Sequence, residues 1–132
     1  MHAQKSLKAF AAATLLVAVS ACVVAPIYNV TDAPVTTAAG KSLSATQVRQ
    51  AIVTSGAALG WKIIDAGPGR LEGTLNLRTH AAVVDIPYSA TKYSIVYKSG
   101  ENLQASGGNI HKNYNGWVQN LDRSIRATLA TL

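Results

Sequence analysis

The chain has 132 residues, twelve basic and six acidic side chains for a formal charge of +6, and nearly half its residues are apolar. That length points to one domain, and the apolar share excludes a disordered polyelectrolyte. One cysteine in the whole chain excludes an intrachain disulfide framework, so packing has to supply the stability.

The apolar excess begins at the N-terminus. Lys5 and Lys8 precede an uncharged, Ala-rich stretch from Ala9 to Ala21, which at 13 residues is too short for a bilayer-spanning helix but fits the apolar region of a secretory signal. It ends in Val19-Ser20-Ala21-Cys22, which resembles the lipobox of bacterial lipoproteins. The resemblance implies removal of residues 1–21, acylation of the Cys22 thiol and attachment to membrane lipid through that residue. One chain binds a membrane marginally, and the two or three implied here hold firmly. Without Lys5 and Lys8, ten basic residues face six acidic ones, a balance of +4. Export argues against nucleic acid as a partner and favours anionic lipid or an anionic envelope polymer.

Residues 22–43 contain Pro26, Pro34 and Gly40 and follow neither a helical nor a strand period, so they read as a flexible tether. Ala39-Gly40-Lys41-Ser42 mimics the tail of a phosphate-binding loop, but position 35 is Val35 where that loop needs glycine. The domain is expected over residues 44–132. Ser44-Ala45-Thr46-Gln47 is a capping box, and Val48, Ala51, Ile52, Ser55 and Leu59 share one face of a helix over residues 45–59, with Gly60 as its stop. Trp61 to Asp65 reads as a short strand of ambiguous facing, because Ile63 and Ile64 are both apolar.

From Arg70 the period becomes two. Leu71, Gly73, Leu75 and Leu77, then Ala82, Val84, Ile86 and Tyr88, then Tyr93, Ile95 and Tyr97, form three apolar rows. A turn over Arg78 to Ala81 would set Leu77 against Ala82, Leu75 against Val84, Gly73 against Ile86 and Leu71 against Tyr88. A loop over Ser89 to Lys92 would set Tyr88 against Tyr93, Ile86 against Ile95 and Val84 against Tyr97. After Gly100 and Gly107-Gly108, a last helix carries Tyr114, Trp117, Val118, Leu121, Ile125, Leu129 and Leu132 on one stripe, interrupted by Thr128. Asn113 is its expected cap, and Asp122 with Arg126 a four-residue ion pair. The expected fold class is α+β, an antiparallel meander of three to four strands with an N-terminal and a C-terminal helix on one face.

Candidate chemistry is sparse. Ser89-Ala90-Thr91-Lys92 has the Ser-x-x-Lys form of serine acylases, and Lys98-Ser99-Gly100 resembles their third motif. Those enzymes need the serine at a helix N-terminus and a large domain between the motifs. His80 and His111 lack the close spacing of a metal site, so no metal and no other cofactor is expected. A small hydrolase or metal-dependent enzyme would have to combine one of them with Asp85. The aromatics Trp61, Tyr88, Tyr93, Tyr97, Tyr114 and Trp117 fall mainly on core rows. Opposite those rows stand Arg70, Glu72, Thr74, Asn76, Arg78, Val83, Asp85, Val96 and Lys98, a mixed patch able to receive a partner.

The stretches Asp85-Ile86-Pro87-Tyr88-Ser89, Tyr93-Ser94-Ile95-Val96-Tyr97 and Ile110-His111-Lys112-Asn113-Tyr114-Asn115-Gly116-Trp117-Val118-Gln119-Asn120-Leu121 resemble a family of small, uncharacterised proteobacterial lipoproteins. The resemblance covers most of the chain from about residue 45 and brings no activity or site. It implies a Gram-negative envelope, and Val23, where an aspartate would retain such proteins at the inner membrane, implies the periplasmic side of the outer membrane. The expected role is a noncatalytic binding or accessory component of the envelope that contacts another envelope protein or an anionic polymer. A small envelope enzyme and a structural spacer are the alternatives.

Overall fold

The computed structural model describes residues 8–15 and 23–132. The lipobox, residues 19–22, lies outside the described residues. Among them, no helix is long and apolar enough to cross a membrane.

The class is α+β. In chain order the elements are β1 (Val24–Pro26), β2 (Val30–Pro34), α1 (Ala45–Ala58), β3 (Lys62–Asp65), β4 (Arg70–Leu77), β5 (His80–Pro87), β6 (Lys92–Glu101), β7 (Asn109–His111) and α2 (Lys112–Ala130). The main sheet is antiparallel with strand order β2-β6-β5-β4-β3, and β1 pairs with β7 in a separate two-stranded ribbon. The expected meander is present as β3 to β6, and a fifth strand extends it.

That fifth strand corrects the reading of residues 22–43 as a flexible tether. β2 lies along β6, with Val30 opposite Ile95 and Ala33 opposite Tyr93, and Val30, Ala33 and Leu43 are buried. The missing period has a local cause. The register slips between Val30 and Ala33, Asp32 takes a φ of 48°, and the Asp32 amide donates to Ser94 Oγ at 2.9 Å. A bulge breaks the alternation by which a strand is recognised. Pro26 and Pro34 are tolerated because β1 and β2 are edge strands.

α1 ends where its signals place it. The Gln47 amide donates to Ser44 Oγ at 3.2 Å, the Ser44 amide donates to Gln47 Oε1 at 2.9 Å, and Gly60 leaves the helix at a φ of 85°. Val48, Ala51, Ile52, Ser55 and Gly56 are buried, whereas Leu59 caps the helix and is exposed. In β3 the ambiguity between the isoleucines resolves through pairing. Ile63 lies opposite Gly73 and packs on the core, and Ile64 is exposed.

The pairing of β4 with β5 preserves the expected faces but not the expected partners. The turn holds two residues, Arg78 and Thr79, so Leu77 meets His80, Leu75 meets Ala82, Gly73 meets Val84 and Leu71 meets Ile86. Each pair slips by two positions from the expected register. An even slip leaves every side chain on its own face, so the apolar rows still coincide. Two-residue turns favour Asn-Gly or Asp-Gly, and Arg78-Thr79 carries no such signal although Arg78 takes a φ of 55°. Between β5 and β6, Val84 faces Tyr97 and Tyr88 bridges Tyr93, both as expected.

α2 lays Tyr114, Val118, Leu121, Ile125 and Leu129 into the core. Its cap is His111 rather than Asn113: His111 Nδ1 accepts from the Asn113 amide at 3.2 Å, and Asn113 lies within the first turn. Thr128, the polar break in the stripe, meets a polar residue of α1, for Ser55 Oγ donates to Thr128 Oγ1 at 2.9 Å. Asp122 forms the expected pair with Arg126 at 2.9 Å and accepts a second, unexpected bond from the Tyr93 hydroxyl at 2.5 Å. Trp61, Tyr93 and Tyr114 are buried, and Tyr88, Tyr97 and Trp117 pack at the core margin. Tyr97 meets Tyr114 edge-on at 5.3 Å between ring centroids.

Candidate functional site

The helices cover one face of the sheet and leave the other open. On the open face, Thr74 of β4 stands opposite Val83 of β5, and Glu72 opposite Asp85, which in turn faces Val96 of β6. Strand period alone thus assembles Glu72, Thr74, Val83, Asp85 and Val96, all half-buried, with the exposed Asn76 beside them. Arg70 lies at the rim, where its guanidinium donates to the Ala66 carbonyl at 3.1 Å. Arg78 is a correction: it occupies the tip of the β4–β5 turn and does not belong to the face.

Two carboxylates directly opposite each other on neighbouring strands repel. Lys98 resolves this for Glu72 and Asp85, with Nζ 2.6 Å from Glu72 Oε2 and 3.9 Å from Asp85 Oδ1. Its position depends on a bulge. Tyr97 faces Val84 but Ser99 faces Val83, so Lys98 is the additional residue of β6. The hydrogen bond to Glu72 and the negative charges of Glu72 and Asp85 hold the Lys98 ammonium above the ordinary lysine value. Asp85 Oδ1 is buried and accepts no hydrogen bond within the protein. An ion cluster with one unfilled acceptor, flanked by two valines, can recognise a donor group and an apolar group together.

The bulge also carries Ser99 to the open face, which alternation from Tyr93 would have turned inward. It sends Gly100 to the core side, where a Cβ would lie 2.7 Å from the Ala81 carbonyl and 2.5 Å from Leu103 Cδ1. The three consecutive residues Lys98-Ser99-Gly100 are thus accounted for by strand geometry. Likewise Ser89 Oγ accepts from the amides of Thr91 and Lys92, each at 3.2 Å, as the hydroxyl of a loop turn, and Lys92 Nζ lies 3.6 Å from Asp32.

His80 and His111 come together, with ring centroids 5.7 Å apart and Trp117 6.2 Å from His80. His80 Nδ1 bonds the Asn102 carbonyl at 2.8 Å. These rings lie on the helix side of β5, whereas Asp85 points to the open side, so the sheet separates the imidazoles from that carboxylate. Among the described residues, no three His, Cys, Asp or Glu side chains gather as a metal-binding group. At the far end of the domain, a cleft of about 290 Å³ is lined partly by Thr37, Lys41 and Thr91. There Gly40 takes a φ of 66° in a turn closed by the Lys41 amide on Thr37 Oγ1 at 2.6 Å, so the phosphate-loop mimic is a hydrogen-bonded turn.

Comparison of the chain with protein-family models, curated proteins and solved structures finds no match.

Proposed function

We propose that this chain is a lipoprotein of the Gram-negative envelope, acylated at Cys22 on the periplasmic side of the outer membrane. Its domain binds another envelope component without catalysis. The open sheet face is the binding surface. One observation carries this reading: the Glu72–Lys98–Asp85 cluster, with the unfilled Asp85 Oδ1, stands between Val83 and Val96 on a face that no helix covers. The Asp85 oxygen has no hydrogen bond from the protein, and its nearest cation lies 3.9 Å away, so it is free to accept from a donor on a partner. On this face Arg70 and Lys98 balance Glu72 and Asp85, so the feature a partner would meet is the unfilled Asp85 Oδ1, which favours a donor group flanked by apolar groups.

The test is a photo-crosslinking residue placed at Thr74 or Val96 in intact cells, with the exposed Gln50 on α1 as the control position. Capture of one discrete species from Thr74 and Val96, absent from Gln50 and lost in Asp85→Ala, is the expected result. Equal labelling from all three positions removes the surface from consideration.

A further inference from the structure

We infer that the end of the domain carrying the β4–β5 turn and the start of α2 lies against the membrane surface, with anionic phospholipid as its ligand. The inference rests on the acylation proposed above. A flexible coil over residues 22–43 would let the domain wander about 25 Å from its anchor. No such coil exists here. Val24 is already paired with His111, and the Val23 carbonyl accepts from the Lys112 amide at 2.9 Å. One residue separates that hydrogen bond from the acylated position, a reach of about 3.5 Å. The surface around Val23 is therefore held in the headgroup layer.

The composition of this end fits that place. Six large apolar side chains are exposed beyond residue 22, namely Val23, Tyr28, Leu59, Ile64, Leu77 and Leu132, and Val23, Leu59 and Leu77 belong to this end. Leu59 and Leu77 flank a groove of about 200 Å³ completed by Trp61 and Trp117. Contacts link the groove to the anchor, since His80 touches both Trp117 and His111, and His111 pairs with Val24. Arg78 and Lys112 bring two positive charges against the single acidic Glu101. Arg78 holds a left-handed conformation that glycine would adopt without strain, so the turn keeps a cation at a conformational cost. Aromatic, leucine and basic side chains together are the composition of an interfacial membrane contact.

The acylated full-length protein tests this in vesicles containing brominated lipid. Acylation consumes Cys22, so Leu77→Cys, or Pro68→Cys in the turn at the opposite end, supplies a unique thiol for a fluorophore. Quenching several-fold stronger at Leu77→Cys than at Pro68→Cys is expected, with the contrast larger on phosphatidylglycerol vesicles than on phosphatidylcholine alone. The unlabelled protein gives a second reading through Trp61 and Trp117, whose emission is expected to be quenched on the same vesicles. Flotation separates the two ideas. A protein that floats with the vesicles yet shows equal quenching at both ends and unquenched tryptophans overturns the orientation alone. One that does not float overturns the acylation and the orientation with it.

Discussion

The two faces of one sheet are built from the same strands and live under different constraints. On the helix side Leu71, Val84, Ile86 and Ile95 have no exposed surface. On the open side Glu72, Val83, Asp85 and Val96 are half-buried, and Glu72 and Asp85 share an ion cluster with Lys98. The contrast teaches where to look for function. Residue choice on the covered face is consumed by packing, so the open side and the two ends of the domain are freer to be shaped by a partner.

The largest test of that contrast lies within β5. Ile86→Ala is expected to cost about 2–5 kcal/mol in denaturant unfolding, through lost burial and a cavity. Val83→Ala, on the other face of the same strand, should cost well under half as much. A comparable loss at both would mean that the open face is part of the core.

Two buried tyrosines sharpen the comparison inside the covered face. Tyr93→Phe removes the donor to the Asp122 carboxylate and is expected to destabilise by about 1.5–3 kcal/mol, the range for bonds to charged groups. Tyr114→Phe should be neutral or slightly stabilising, because the Tyr114 hydroxyl is buried with no partner. Thermal melts of both variants check this ordering.

The same pair sets the alkaline limit. Burial, aided at Tyr93 by the hydrogen bond to Asp122, raises both phenols far above the ordinary tyrosine value of 10.0. The unfolded chain therefore releases these protons first and binds fewer of them above that value. Stability is fully present below pH 10 and falls as pH rises past it, by up to about 1.4 kcal/mol per pH unit for each tyrosine. Unfolding curves from pH 9 to 11 should show this slope in the natural protein and a flatter one in the double phenylalanine variant. The smallest effect is expected on the open face. Lys98→Met should lower the melting temperature slightly in dilute buffer and not at all in high salt, because its partners are solvent-screened. A salt-independent loss would show that the cluster is structural.

Much of this was legible from residue order. The capping box at Ser44, the stop at Gly60, the three apolar rows and the stripe on α2 each express a local periodicity or cap, and each is present except at the ends of one row and of the stripe, where Leu77 and Leu132 are exposed. The candidate patch was legible for the same reason, since alternation assigns Glu72, Thr74, Val83, Asp85 and Val96 to one face whatever the exact register. What misled were sites where local preference is overridden. Arg78-Thr79 turns the chain without turn residues, His111 caps α2 ahead of the more usual Asn113, and the bulge at Asp32 hides β2 inside an aperiodic run.

Residue order by itself settled which faces are apolar, because side-chain direction repeats every two residues in a strand and about every 3.6 in a helix. Only the tertiary structure decided which residues meet across those faces. The Glu72–Lys98–Asp85 cluster depends on a bulge, the Tyr93–Asp122 bond joins positions 29 residues apart, and the docking of Val23 on Lys112 turns a tether into part of the fold. The physical reason is common to all three. Pairing between distant segments is selected by the total burial and hydrogen bonding of the folded chain, and no short stretch of sequence contains that sum.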